Sequence, residues 1–477
     1  MTRLSRTFLS VLKSILVLPL RAWRKLPFLP RWKERVKHGL FSVFPFLFRR
    51  LEVYRKWQNR VALERWQQLG EPAVSAEVGL PDELSAKSEP IDLYVPPYQG
   101  ELPAHLPVRL IAFYLPQFHA IPENDRWWGE GFTEWTNVRP ATAMFEGHYQ
   151  PHVPGDLGYY NLLDTEVQAR QVALARLYGV GGFCFYTYWF NGKLLLEKPV
   201  ENYLANRQLD LPFCLCWANE NWTRRWDGLE SEILVQQKHS HDDDLAFIRH
   251  VARFMRDDRY MRINDRPLLL VYRPKLLPSA IETAKRWRTW CRQEGIGEIY
   301  LAYTQSFELT DPAAYGFDAA VEFPPNDTQL PNVTARAKPR HPDFGNTLYD
   351  WRFLVWRSRN YSKPGYKLFR GVCPSWDNTA RRKNKANIFV NSSPKGYREW
   401  LGNAVSDTCN RLRNPDERLV FVNAWNEWAE GAYLEPDQKY GYAYLEATRQ
   451  ALLDHAGRGQ GERATDKPAA RAEGVRS

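Results

Sequence analysis

Leu419-Val420-Phe421-Val422-Asn423-Ala424-Trp425-Asn426-Glu427-Trp428-Ala429-Glu430-Gly431 carries a short apolar run straight into two glutamates set among tryptophans. An unbroken apolar run of this length reads as a strand buried on both faces, which belongs to a parallel sheet covered by helices. The same run recurs upstream, at Arg109–Tyr114, Gly182–Tyr188, Phe213–Ala218, Pro267–Tyr272, Ile299–Thr304, Ala319–Phe323 and Gly371–Pro374, with the last strand at Leu419–Ala424. Helical patterns at Asp164–Tyr178, Asp242–Arg256, Ile281–Glu294 and Lys395–Asn410 lie between them. Alternating strands and helices are the signature of βα units. Eight strands in one series predict an α/β fold, a single closed (β/α)8 TIM-type barrel with its active site at the C-terminal strand ends.

Those ends are where the unusual side chains fall. Tyr114 ends strand one, and His119, Trp128, Glu134 and Trp135 follow it; Trp189 and Asn191 follow strand two; Trp217 lies at the end of strand three, and Asn219 and Glu220 follow it. Glu322 ends strand six, Trp376 and Asp377 follow strand seven, and Trp425 and Asn426 precede the glutamates. Core packing accounts for any one of these as readily as ligand contact does. Their concentration at one position type around the ring is what marks a binding cleft, and all are candidate substrate contacts.

Glu427 and Glu430 are the candidate catalytic pair. Breaking a glycosidic bond needs one carboxyl to protonate the leaving oxygen and another to act on the sugar's other side. Taken alone, two glutamates three apart read more readily as two surface acids on the first turn of a helix, where the macrodipole favours them. The flanking indoles, whose flat apolar faces suit sugar rings, favour the cleft.

Composition bounds the remainder. The 477 residues suffice for one barrel with attachments, and 14% aromatic content with 19 tryptophans suits carbohydrate handling. Six scattered cysteines offer neither a disulfide framework nor paired zinc ligands, so a reducing compartment is expected. Residues 1–60 hold 15 Lys+Arg against two acids, a net of +13 beside +10 for the whole chain, so the body of the protein is slightly acidic and no nucleic-acid partner is indicated. The apolar stretch from Phe8 to Leu20 is interrupted by Lys13 and Pro19 and falls short of the roughly 20 residues that span a bilayer. Basic residues alternating with Trp23, Trp32, Phe41, Phe44, Phe46 and Phe48 suggest amphipathic helices on an anionic membrane surface. Helices packed on the barrel are the other use of such a pattern. Residues 61–107 read as a proline-punctuated linker, 108–455 as the catalytic domain, and 456–477 as a disordered tail. The stretch from Asn326 to Phe369 is too long for a routine connection and is expected to cap the cleft. Asp242-Asp243-Asp244 is the one candidate metal cluster, but helix capping already explains it, and no glycine-rich phosphate loop follows the first strand. No metal and no cofactor are therefore expected.

The runs Tyr114–His119, Trp127–Asn137, Cys216–Arg224 and Trp425–Glu430 resemble the WbsX-like proteins of bacterial surface-polysaccharide gene clusters, a group related to glycoside hydrolase family 99, the endo-acting α-mannosidases. The resemblance covers Val108 to Leu453. It implies a carbohydrate-active enzyme of retaining type in O-antigen, capsule or exopolysaccharide production. Glu427 would take the proton of the sugar 2-hydroxyl, which attacks the anomeric carbon, while Glu430 would protonate the leaving oxygen; Glu430 is then protonated and Glu427 ionised at working pH. Pro374–Arg381 is similar to a further segment of the hydrolases, with Ser375 and Trp376 replacing glycine and tyrosine, so catalysis is better supported than mannose specificity. The implied partner is an oligosaccharide or lipid-linked glycan, and the implied place is cytoplasmic, peripheral to the inner membrane face. A transferase using an activated donor and a non-catalytic carbohydrate-binding scaffold are the alternatives.

Overall fold

All eight expected strands are present and close on themselves. The structure is a computed structural model and describes residues 30–70, 94–101, 105–224, 229–326 and 329–456. The barrel strands are β1 (Arg109–Tyr114), β2 (Val180–Phe190), β3 (Phe213–Trp217), β4 (Arg266–Val271), β5 (Tyr300–Gln305), β6 (Ala319–Glu322), β7 (Leu368–Val372) and β8 (Leu419–Val422). Each pairs in parallel with its neighbours in chain order, and β1 closes the ring by pairing with both β2 and β8, with Arg109 opposite Leu419 and Ala112 opposite Val422. The strands are continuous apolar runs because barrel interior and helix layer bury both faces: every residue of β3, β5, β7 and β8 is buried. Burial of each large apolar side chain contributes roughly 1.5–3 kcal/mol relative to exposure.

The intervening helices start where their sequences place caps. Asp164, Ser240, Ser279 and Ser393 each accept a first-turn amide hydrogen with a side-chain oxygen, opening the helices Thr165–Leu177, His241–Met255, Ala280–Gln293 and Pro394–Arg411. The Asp242–Asp244 cluster sits in the first turn of the second of these. There Asp243 accepts from the Trp189 indole at 2.7 Å and Asp244 from Arg286 and Thr283, so capping and packing occupy two of the three acids.

Two regions differ from the sequence expectation. The stretch after β6 is not a plain cap: Thr347–Asp350 pairs in parallel with Asn387–Val390, and a helix covers Arg352–Ser358. Asp350 and the fully buried Arg352 form an ion pair at 2.7 Å that fixes the junction between them. The start of the linker drawn from residue 61 is helical, because the helix Glu52–Leu69 crosses that boundary. Trp66 on this helix packs edge-on against Phe353 and Trp356, so this part of the basic extension lies on the barrel. The helices Pro30–Val43 and Pro45–Phe48 precede it, and Phe41, Phe48, Tyr54 and Trp57 form a separate small core. Val43, Phe44 and Phe46 remain exposed. The readings made for residues 1–29, 71–93 and 457–477 lie outside the described residues. No helix among the described residues is long and apolar enough to cross a membrane.

Candidate active site

The two glutamates occupy a hairpin, not the first turn of a helix. Beyond β8, Asn426–Glu427 pairs antiparallel with Ala432–Tyr433 around a 3-10 turn formed by Trp428–Glu430. Gly431 closes the turn at φ +59°, and a Cβ there would stand 2.9 Å from the Asp377 backbone nitrogen, so both dihedral and space demand glycine. Asp377 N donates to the Glu430 carbonyl at 2.6 Å, which clamps the turn to the segment after β7. Asn426 fixes the other side: its amide accepts from Leu115 N at 2.8 Å and donates to Leu115 O at 3.0 Å, tying the hairpin to the end of β1.

Arg381 holds the carboxylates. Its Nη1 is 2.5 Å from Glu430 Oε1, and its Nη2 is 2.5 Å from Glu134 Oε1 and 3.2 Å from Glu427 Oε2. One guanidinium thus faces three acids, with Glu134 fully buried behind it. Burial, then the Glu430 charge, push the Glu427 carboxyl well above the ordinary glutamate range, while Arg381 opposes them. Burial likewise raises Glu134 against the pull of Arg381. Desolvation and the Glu430 charge thus work against the ionised Glu427 that the expected split requires, and Arg381 works for it. Arg381 itself is driven further toward the charged form by the three carboxylates, despite burial.

Arg381 is aimed by Asp377. One Asp377 oxygen accepts from Thr379 N at 2.9 Å and from the Thr379 hydroxyl at 2.5 Å, opening the short helix Thr379–Arg382; the other accepts from His148 and Gln150, each at 2.7 Å. Burial opposes ionisation of Asp377, but His148 and His152 overcome it and hold its carboxyl far below the usual range. A carboxylate this fully engaged positions the loop and leaves little capacity for a sugar hydroxyl.

These groups open onto a cleft of about 570 Å³, lined by Glu427, Glu430, Arg381, Glu220 and Trp376 with Tyr186, Tyr188, Trp222, Tyr272 and Phe307 as aromatic walls. Gln117 donates to the Tyr188 hydroxyl at 2.9 Å, and Tyr188 stacks on Trp222. Glu220 pairs with Arg273 at 2.6 Å. Leu330 and Tyr349, from the structured stretch after β6, also reach the cleft.

Of the candidates named from sequence, Glu427, Glu430, Glu220 and Trp376 line the cleft and Glu134 stands behind Arg381. The others do not reach its wall, each for a physical reason. Tyr114 donates to Gln171 at 2.6 Å between β1 and the helix layer. His119 is buried against the Pro116 carbonyl, and burial lowers its imidazole to about 4. Trp128 stacks on Phe132, and Trp135 donates its indole N–H to the Tyr160 carbonyl at 2.8 Å. Trp189 and Trp217 pack outward on Phe247. Asn191 sits at φ +49° in the turn joining β2 to Lys193–Leu195, and Asn219 ties β3 to β4 through the Arg273 backbone, with a 2.8 Å bond each way. Glu322 pairs with Arg370 at 2.7 Å and faces a neighbouring cavity. Trp425 packs on Phe183, and Asn426 is consumed by Leu115.

Sequence reasoning missed Arg381 as a functional group, and with it the tyrosine wall of β2. It also gave no role to Glu435, which accepts from Trp428 at 2.6 Å, Gln171 at 2.6 Å and Tyr160 at 2.8 Å. Burial raises Glu435 to about 7, even though its three donors favour the anion. Among the described residues no group of three or more His, Cys, Asp or Glu is arranged to hold a metal ion, and the six cysteines form no disulfide.

Solved structures superpose on part of the chain at low identity. A glycoside hydrolase-like protein superposes over 76% of this chain and 99% of its own, with 15% identity and a TM-score of 0.47. The GH99 endo-α-mannosidase from Bacteroides thetaiotaomicron covers 74% of this chain and 98% of its own, with 15% identity and a TM-score of 0.46. The protein WxcX of Xanthomonas campestris pv. campestris strain B100, itself uncharacterized, is 57% identical over 353 residues, 74% of this chain and 50% of that protein. WxcX of strain ATCC 33913 matches to the same extent, so the chain spans about half the length of the curated relatives it matches. The family model for the glycosyltransferase WbsX matches residues 110–448, nearly the whole barrel, and the chain belongs to that enzyme family.

Proposed function

We propose that this chain breaks and re-forms α-glycosidic bonds in the production of a bacterial surface polysaccharide, using Glu427 and Glu430 in retaining chemistry. The observation that carries the reading is the gathering of both carboxylates by Arg381 at the wall of an aromatic cleft. In the first step Glu427, ionised, takes the proton of the sugar 2-hydroxyl. That oxygen bonds to the anomeric carbon as the bond to the leaving oxygen breaks, and Glu430 delivers a proton to the leaving oxygen. In the second step Glu430, now ionised, removes a proton from water or an acceptor hydroxyl, which attacks the anomeric carbon; the three-membered ring opens and its oxygen recovers a proton from Glu427. The raised Glu427 carboxyl makes it a stronger base once ionised, and the Arg381 charge favours that ionised form. Arg381, paired with Glu134, offsets the negative charge that moves between the pair.

The substrate class is an oligosaccharide or a lipid-linked glycan. Exposed Val43, Phe44 and Phe46 beside Arg49 and Arg50 support contact of residues 1–60 with the anionic cytoplasmic face of the membrane. The description of the family as a glycosyltransferase favours a second reading, in which the same barrel takes an activated sugar donor.

One experiment separates them: mass spectrometry of wild type and Glu430→Gln with α-linked oligosaccharides and lipid-linked glycans, with and without nucleotide sugars. Donor-free cleavage or transfer that is lost in Glu430→Gln is the expected result. Product formed only with a nucleotide sugar establishes the donor-dependent reading. Binding without turnover, unchanged by Glu427→Gln, makes the protein a carbohydrate-binding scaffold and sinks both.

A further inference from the structure

A second cavity, of about 640 Å³, lies between the helix Glu52–Leu69 and the barrel wall at β5–β7. It adjoins the glycan cleft, since Phe323 and Asn326 line both. Its lining includes five cations, Arg55, Arg65, Arg357, Arg359 and Lys363, against the single carboxylate of Glu322. That carboxylate is already held by Arg370 at 2.7 Å, and Arg55 approaches it only at 4.0 Å. Arg359 is neutralised by Glu399 at 2.7 Å. Arg357 is different: among the described residues no carboxylate pairs with its guanidinium, although it is half-buried at the cavity wall. Burial pushes its pKa down, as do Arg55 and Arg370, against the pull of Glu322. A desolvated cation kept beside other cations is costly unless an anion completes the site. The surplus exceeds one positive charge, and planar guanidinium forks match phosphate oxygens. The remaining lining mixes apolar side chains, Phe41, Trp57, Leu309 and Leu354 among them, with uncharged polar ones such as Gln58, Gln305, Asn360 and Ser362.

We propose that this cavity binds the diphosphate of an activated or lipid-linked glycan whose sugar end reaches into the neighbouring cleft. The inference rests on the glycan-acting reading above and names how its substrate is held. Lipid-linked and nucleotide-linked glycans share the diphosphate, and the test distinguishes them.

The test is equilibrium binding of inorganic pyrophosphate, farnesyl diphosphate and uridine diphosphate to the full chain, followed by tryptophan fluorescence and calorimetry, for wild type, Arg357→Gln, Lys363→Gln and Glu430→Gln. Wild type and Glu430→Gln should bind pyrophosphate alike, and Arg357→Gln should bind it at least about tenfold more weakly, the loss expected for a charge-assisted hydrogen bond. Exposed Lys363 provides a variant that leaves the wall packing intact, and Lys363→Gln should weaken binding in the same direction. Tighter binding of farnesyl diphosphate than of uridine diphosphate assigns a lipid carrier; the reverse order assigns a nucleotide. Absence of binding by wild type at millimolar concentrations of all three, or equal pyrophosphate affinity in wild type, Arg357→Gln and Lys363→Gln, overturns the site. Because no turnover is read, a glycosidase reading that fails in the mass-spectrometric experiment leaves this result standing, and failure here leaves donor-free cleavage untouched.

Discussion

Arg381 Nη2 stands 2.5 Å from Glu134 and 3.2 Å from Glu427, so one nitrogen links a fully buried acid to a carboxylate at the cleft wall. The electrostatics of the site depend on this bridge. Removal of the cation leaves three acids without compensation, and breaking a buried pair from one side costs about 3–5 kcal/mol. Arg381→Gln is therefore expected to lower the unfolding free energy by that amount in urea at neutral pH. Adding Glu134→Gln removes one of the stranded acids, so the double variant should recover part of the loss, with a coupling of about 0.5–3 kcal/mol. Strict additivity of the two single changes would show that the bridge carries no energy.

The acid limb of activity should report Glu427. As a base it must be ionised, and burial together with the Glu430 charge raises its carboxyl above the ordinary value of 4.5. Activity is thus lost as pH falls through a pKa higher than that of a free glutamate. Glu134 contributes to the rise by like charge and also engages Arg381. In Glu134→Gln that repulsion disappears and the guanidinium is freed for the catalytic pair, so the acid limb of kcat/KM for donor-free cleavage should move to lower pH. An acid limb that stays in place, or moves up, removes Glu427 from the role of base.

The barrel was legible because its strands are buried on both faces: runs such as Leu419–Val422 and Phe213–Trp217 admit no amphipathic reading, and four capped helices announce themselves by Asp or Ser. The location of the glutamate pair followed from the same strand ends. The direction of neighbouring side chains did not follow. In β3, Trp217 points to the helix layer, while Tyr186 on β2 faces the cleft, and a run with no polar alternation carries no sign of which way it turns. The indoles beside the glutamates misled for a related reason: Trp428 stacks on Tyr433 at 3.8 Å behind the hairpin, so it serves packing there. Arg381 lies 46 and 49 residues before Glu427 and Glu430 and 247 after Glu134, and it belongs to a four-residue helix, so no local pattern signals it. The requirement for a cation among buried acids appears only once the fold has brought Glu134, Glu427 and Glu430 together.

Behind the hairpin, Glu435 makes pH act on stability independently of catalysis. Its carboxyl rises from 4.5 to about 7 because burial outweighs the three hydrogen bonds from Trp428, Gln171 and Tyr160. A carboxyl whose folded pKa is raised holds its proton more firmly in the native state than in the unfolded chain. Its stabilisation is complete below 4.5 and is lost as pH rises through about 7, a swing of about 3 kcal/mol from the linkage relation. Asp377 acts in the opposite sense, since its depressed pKa favours the native state as pH rises through the acid range. The clean measurement is therefore a difference. Thermal unfolding of wild type and Glu435→Gln, compared at pH 5 and pH 8, should show wild type losing stability relative to the variant on going to the higher pH, because glutamine carries no proton to lose. A constant difference between the two proteins across that range would mean that Glu435 is ionised throughout, with its three donors outweighing burial.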